Sequence, residues 1–256
     1  MDDHTQRVRQ EFARQAATFE DVRLNTAFTS RLRDLVEFAE PTPEDGCVDV
    51  ACGTGLVARA LAHHVRHVTA VDITPEMLAT GKAQADSEGL SHLVFQAGDA
   101  RALPFVDASF SLVVTRFSLH QVATPARLVA ELARVCRPAP AGRVVIADMV
   151  RRPDLPGDPD RIERLRDPSH GTMLTVDAIA ALLAERGRNV NRSDVFDVRR
   201  PLRQWVEQAR APDVAVAQIE AEFATELAGG PATGMRPEVV DGDLWFTQTW
   251  AHVLAA

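Results

Sequence analysis

Residues 45–72, DGCVDVACGTGLVARALAHHVRHVTAVD, constrain the fold of this chain more than any other stretch. Val48 to Val50 read as a buried strand, Cys52-Gly53-Thr54-Gly55 as a tight turn, and Leu56 to Ala62 as a helix. A second apolar run, Val68 to Val71, ends in Asp72. The predicted unit is therefore a βαβ crossover with an acidic residue at the tip of its second strand. Such a unit receives a nucleotide-like cofactor at the turn.

Two cofactors compete for that turn. Gly53-x-Gly55-x-x-Ala58 followed by Asp72 satisfies the loose dinucleotide fingerprint. Asp49 argues against it, because a carboxylate at the strand end would repel a pyrophosphate docked on the helix N-terminus. A cofactor with a cationic amino-acid end and no phosphate would welcome that charge, while Asp72 accepts from ribose hydroxyls. S-adenosylmethionine has that shape and charge.

At 256 residues the chain can bury a sizeable core, and a single α/β domain accounts for it. A formal net charge of −8 argues against a nucleic-acid footprint, which needs a basic face. No apolar run approaches the roughly 18 residues a membrane span needs, and no signal-peptide pattern is present, so a cytoplasmic protein without a membrane partner is expected. The three cysteines, Cys47, Cys52 and Cys136, lack metal-type spacing, and His63, His64 and His67 read as surface residues. No metal site is expected.

In chain order, Val8, Phe12, Ala16 and Phe19 place an apolar stripe on a helix over residues 5–19, which either packs on the body or lids the cofactor. A second helix is predicted from Thr29 to Phe38, broken by Pro41 to Gly46. After Asp72, Thr74-Pro75 fits an N-cap and first helical residue, and that helix ends near Gly89. Val94 to Ala97 is the third strand, and Gly98-Asp99-Ala100 follows it, where Asp99 either accepts from an adenine-type amine or makes an Asx turn. Phe110 to Thr115 is the fourth strand, with Arg116 to Gln121 just past its end, where ligands of open α/β sheets lie. A helix over Pro125 to Val135 leads into a fifth strand, Arg143 to Asp148. Residues 151–171 are an irregular insertion with a short helix at Ile162 to Arg166. Thr175 caps a helix over Val176 to Arg186, Val190 to Val198 is a sixth strand, and 201–228 are helical. Loop then covers Gly229 to Pro237, before a last strand over Leu244 to Leu254.

The motifs Asp49-Val-Ala-Cys-Gly53-Thr-Gly55, Val71-Asp72-Ile73-Thr-Pro-Glu-Met77-Leu78, Gly98-Asp99-Ala100, Leu103-Pro104-Phe105, Phe110 to Val114 and Leu132 to Pro138 stand in one order. In that order the chain resembles a class I S-adenosylmethionine-dependent methyltransferase of the ubiquinone/menaquinone-type small-molecule branch, over roughly residues 10–190. The resemblance implies a Rossmann-like seven-stranded sheet of order 3-2-1-4-5-7-6, strand seven antiparallel, with helices on both faces and a helical lid. It implies one domain over 1–256: an N-terminal helical cap at 1–40, a cofactor-binding core at 46–150, and substrate-lid insertions at 151–171 and 201–236. Carried over residue by residue, it puts Ala51, Gly53 and Gly55 under the methionine part of the cofactor and Asp49 beside it, with Asp72 on the ribose. Met77 or Ile73 flanks the adenine, Asp99 with Ala100 reads its edge, and Phe117 meets the methionine end; Phe19 joins the cofactor residues where the N-terminal helix acts as a lid rather than as packing. Ala51 stands where the family more often has glycine.

Methyl transfer is an in-line displacement that needs alignment and exclusion of water rather than a protein nucleophile. For a hydroxyl or acidic carbon acceptor a general base helps, and His120 and His170 are the candidates, each weighed against a packing or loop-pinning role. The partner expected is a small-molecule methyl acceptor, held by a monomer or homodimer. The competing reading is a cofactor-binding protein with a non-methylating or regulatory role.

Overall fold

The computed structural model describes residues 2–16, 19, 20, 29 and 31–256. Its centre is an open sheet in which β1 (Gly46–Val50), β2 (His67–Asp72), β3 (Leu93–Ala97), β4 (Leu112–Arg116) and β5 (Arg143–Met149) run parallel. β6 (Val190–Pro201) and β8 (Asp243–Ala255) complete the order β3-β2-β1-β4-β5-β8-β6. The terminal strand is antiparallel to both neighbours, pairing Ile146 with Val253 on one side and Phe196 with Trp250 on the other. The order reverses between β1 and β4, and the C-terminal ends of the parallel strands open there into a crevice, the place such sheets use for ligands.

The central strands are apolar almost throughout because both faces are covered. Val48, Val50 and Val113 meet α5 (Pro125–Val135) and α7 (Val176–Ala184), whose Leu128, Leu132 and Leu183 are fully buried. Cys47, Val68 and Val114 point the other way, onto α2 (Leu32–Ala39) and α3 (Leu56–Ala62) through Leu35 and Leu61. Each such leucine contributes about 1.5–3 kcal/mol by leaving water. α4 (Pro75–Ser87) joins this second layer through Ala85.

Gly81 lets α4 approach the cofactor turn: a methyl group there would sit 2.2 Å from the Thr54 carbonyl oxygen. Thr74 holds the predicted cap position, but its side chain makes no capping bond to the helix.

A third apolar cluster lies beyond the strand ends. Ile162 of α6 (Pro159–Arg166), Trp205 of α8 (Leu202–Gln208) and Phe223 of α9 (Asp213–Leu227) bury against Phe246. The segments expected as insertions thus share one core, fastened to the sheet through β8.

Several element ends differ from expectation by a few residues, β4 (Leu112–Arg116) and β6 (Val190–Pro201) among them, and three differences go further. α1 (Asp3–Gln15) stops short of Phe19, its start capped by the Asp2 carboxylate accepting from the Thr5 N–H. The helical stretch after residue 201 divides into α8 and α9, separated by Arg210 at φ 52° and by Pro212. The sheet also gains an eighth strand, β7 (Glu238–Val240), which pairs with β8. Asp241 and Gly242, at φ 53° and 89°, make the two-residue turn between them. Asp-Gly flanked by Val239-Val240 and Leu244-Trp245 is a direct hairpin signal, obscured by the preceding glycine- and proline-rich loop.

Candidate active site

The cofactor half of the crevice is built from three strand tips. β1 ends in Asp49-Val50, and the turn that follows runs through left-handed backbone at Ala51 (φ 56°), Gly53 (φ 56°) and Gly55 (φ 74°). Gly55 needs to be glycine on two counts, since a Cβ there would also lie 2.7 Å from the Phe95 ring. Asp72, at the tip of β2, clamps the turn: its Oδ2 accepts from the Gly53 N–H at 2.8 Å and its Oδ1 from the Thr74 N–H at 2.8 Å. Burial pushes the Asp72 carboxyl above the usual range despite these donors. Asp49 is buried as well, and its Oδ2 accepts from the Ala58 N–H of α3 at 2.9 Å, so a strand residue satisfies an otherwise orphaned helix donor. Burial raises the Asp49 carboxyl to about 7, with the Asp72 charge adding to the shift and the Ala58 donor and Arg116 opposing it.

Past β3, Asp99 does make the Asx turn. Its Oδ1 accepts from the Arg101 N–H at 2.9 Å, and the Arg101 guanidinium bonds both of its oxygens and holds its carboxyl below the usual range. Arg101 also reaches Asp2 at 2.6 Å, and His4 donates to the Gln121 carbonyl at 2.7 Å, so α1 is tied across the mouth of the crevice. Just beyond α1, Glu20 bonds the Thr54 hydroxyl and pairs with Arg59 at 2.6 Å, which fastens that segment to the glycine turn.

The acceptor half starts after β4. Phe117 sits at φ 52°, a conformation costly for a bulky side chain. Its ring packs on Trp250 at 4.7 Å, with the Arg116 guanidinium 4.7 Å from its centroid. His120 follows, its Nδ1 2.5 Å from Asp148 Oδ1 at the end of β5. Asp148 Oδ2 accepts from the Ser118 and Leu119 N–H groups at 3.1 and 2.7 Å, which fixes the carboxylate that orients the ring. A carboxylate on Nδ1 makes that nitrogen the donor and leaves the lone pair on Nε2. Burial opposes a charge on His120, but Asp148 overcomes it and the ring's pKa is raised.

One cavity is lined by Phe19, Asp49, Ala51, Gly53, Asp72, Ile73, Asp99, Ala100, Phe117 and His120 together. Gly55, Met77 and His170 lie outside its lining. Gly55 shapes the turn from beneath, and Met77 is buried with Ala16 and Phe19. His170 stacks behind His120 with ring centroids 5.4 Å apart, its Nε2 bonded to Asp160 Oδ1 at 2.7 Å. Its contact with the site passes through His120.

Sequence reasoning missed Asp148, whose role depends on β5 lying beside β4, and Arg166, Arg200, Gln208 and Trp250, which converge from distant segments. No local spacing announces them. Among the described residues no group of histidine, cysteine and acidic side chains is arranged to hold a metal ion, and no helix is long and apolar enough to cross a membrane.

A family profile described as a methyltransferase domain matches residues 48–146, the span from β1 to β5 that carries every strand tip of the cofactor half. Over those residues the chain is similar to the methyltransferase-domain family. An uncharacterized methyltransferase of Bacillus subtilis, YcgJ, is 32% identical over 142 residues, 53% of this chain and 54% of that one. The demethylmenaquinone methyltransferase of Renibacterium salmoninarum is 36% identical over 143 residues, 52% and 57% of the two chains. The chain thus spans about half the length of these curated relatives. The solved structure of YcgJ superposes with a TM-score of 0.76 at 22% identity, covering 88% of this chain and 97% of that one. The methyltransferase fold also serves the [4+2]-cyclase SpnF, which matches with a TM-score of 0.64 at 18% identity over 89% of this chain and 79% of its own. The fold alone therefore does not fix the reaction.

Proposed function

We propose that this chain transfers a methyl group from S-adenosylmethionine to a small organic acceptor through an oxygen, nitrogen or carbon nucleophile. The observation that carries the reading is the meeting, in one crevice, of Asp49 and Asp72 at the glycine turn with His120, whose ring is held by Asp148 from behind the cavity lining. The residues of the turn fit the cofactor: Asp49 is a buried carboxylate whose raised pKa would fall beside a cation, and its Oδ1 accepts from no described residue. Asp72 presents its remaining lone pairs to the cavity from a rigid strand tip, which suits a pair of ribose hydroxyls. The cofactor supplies an electrophilic methyl on a sulfonium.

The chain's own residues do the rest. Phe117 and Trp250 wall the path with apolar surface and exclude water. His120 takes the acceptor's proton at Nε2, and Asp148 stabilises the imidazolium that forms. The net charge of −8 and the crevice favour a small acceptor over a nucleic acid. Calorimetry with S-adenosylhomocysteine and with NAD(H), followed by release of labelled methyl to a panel of phenols, amines and quinols, tests the reading. Tight S-adenosylhomocysteine binding with methyl release supports it. NAD(H) binding in its place overturns it, and cofactor binding without transfer to any acceptor favours the non-methylating role.

A further inference from the structure

Arg166 and Arg200 stand together on the wall of the acceptor half of the crevice and play unequal parts. Arg166 of α6 is fully engaged: its Nε donates to the Trp205 carbonyl at 2.9 Å, its Nη2 to Gln208 Oε1 at 3.0 Å, and its Nη1 lies 3.8 Å from the Glu163 carboxylate. It also stacks over the Trp205 ring at 4.8 Å. Arg200, near the end of β6, is 7% exposed and lines the same cavity. Its hydrogen bonds go to two amides, Gln248 Oε1 at 3.1 Å and Gln208 Oε1 at 3.4 Å. Among the described residues no carboxylate stands within ion-pair distance of it. Glu163 is the acid beside this cluster, and it is shared between Arg166 and the Gln248 amide. Asp167, also on the cavity wall, is turned to Ser169, accepting from its N–H at 2.9 Å and its hydroxyl at 2.6 Å.

A guanidinium carries five N–H donors, and Arg200 gives two of them to weak neutral partners. Taking such a cation out of water without an anion is costly. Burial first, and then the neighbouring Arg166 charge, pull the Arg200 pKa down to about 9 against the opposing pull of Glu163. Glu163 and Asp167 both act on Arg166, so of the two guanidinium groups it is Arg200 that has no acid among the described residues within ion-pair distance. We propose that Arg200 anchors the methyl acceptor by a carboxylate, with Trp205, Trp250 and Phe117 holding an apolar body between that anchor and His120. Arg200 by itself can pair one negative charge, which a carboxylate supplies. The planar fork of arginine suits bidentate recognition of a carboxylate. This proposal rests on the methyl-transfer reading and names the acceptor's chemical class.

The test is calorimetry on the S-adenosylhomocysteine-loaded protein with matched probes: 4-hydroxybenzoate, 4-hydroxybenzamide and 4-hydroxyphenyl phosphate, then octanoate and octanamide. A carboxylate of either series should bind about tenfold or more tightly than its amide, the scale of a charged hydrogen bond, and more tightly than the phosphate. R200Q should remove that preference and R200K restore part of it, both with unchanged affinity for S-adenosylhomocysteine. The comparison within the native protein needs no variant to fold. Carboxylate and amide binding equally, no carboxylate binding at all, or R200Q keeping the preference overturns the anchor. A phosphate preference lost in R200Q overturns the carboxylate assignment in favour of a phosphorylated acceptor. Failure of S-adenosylhomocysteine to bind overturns the methyl-transfer reading instead, and with it the role of any bound acid as acceptor.

Discussion

Replacing Asp49 by asparagine separates what this residue does for folding from what it does for the cofactor. Burial raises its carboxyl from 3.8 to about 7. Between these two values the folded protein binds a proton that the unfolded chain has released, so the stability contributed by Asp49 is fully present below pH 3.8 and is lost as pH rises to about 7. At about 1.36 kcal/mol per unit, three units amount to about 4 kcal/mol at pH 8. Water entering the open crevice solvates the ionised form and makes that figure a ceiling. An asparagine at this position would keep an acceptor for the Ala58 N–H and shed the charge, so D49N should be more stable than the native protein at pH 8, by about 2–4 kcal/mol, and nearly equal to it at pH 4. Denaturant titrations of the ligand-free protein at pH steps between 4 and 8 measure this, and calorimetry with S-adenosylmethionine measures the other half. The same substitution should weaken binding of the cationic cofactor, and native affinity should fall as pH drops below about 7. A D49N protein no more stable than native at pH 8, or a difference constant across the range, refutes the argument that Asp49 is a charge held at a cost for a cation.

Three further outcomes are expected. Asp72→Ala should weaken cofactor binding by about 1–3 kcal/mol in calorimetry, because the ribose acceptor is lost and the Gly53 N–H is released from the turn; unchanged affinity would refute the ribose assignment. His120 is protonated below its raised pKa, so methyl release should fall as pH drops through a value above 6.5. His120→Ala should cost about 10²–10⁴-fold in rate. D148N, which removes the anion that raises that pKa, should move the acid limb of the pH–rate profile downward, and a profile indifferent to both changes would remove His120 as the base. Helix propensity alone says that Gly81→Ala should stabilise α4 by about 1 kcal/mol, whereas the Thr54 carbonyl 2.2 Å from the added carbon says it should destabilise by about 1–3 kcal/mol; thermal melts decide the sign.

The parallel half of the fold was legible because its signals are local. Each strand from β1 to β5 is a short apolar run bounded by a turn, and the helices start at Pro75 and Pro125 and at the Gly55 turn. The C-terminal third was legible in outline, its two long strands and its helices standing near where the sequence puts them, but β6 carries a run of exposed polar residues with little periodic contrast and runs on past Val198 to Pro201. There the Asp241-Gly242 hairpin went unread although its chemistry is strong. The site divides along the same line. Asp49, Asp72 and Asp99 each end a strand or follow one directly, so spacing alone places them together at the crevice.

The acceptor wall could not be read that way, for a reason built into the topology. Arg166 and Arg200 come from a helix and a strand 34 positions apart, and they meet because β8 runs antiparallel between β5 and β6. That geometry carries Gln248 to Arg200 and Trp250 to Phe117 from one face of a single strand. Register along β8 therefore couples the arginine cluster to the aromatic wall: a one-residue slip would turn Gln248 and Trp250 away from the crevice together. The cofactor half has no such dependence on β8, since β1, β2 and β3 are held by their own pairings. A substitution that disturbs the β6–β8 register should consequently abolish acceptor binding while leaving S-adenosylhomocysteine affinity near native. Val198 is buried on β6 opposite Gln248, so V198P, which removes a donor and forces a bulge in the middle of that pairing, is the change to make. Calorimetry with S-adenosylhomocysteine and with the carboxylate probe, on the same preparation, reads both halves at once. Parallel loss of the two affinities would mean that the halves fold and bind as one unit and that the division drawn between them is false.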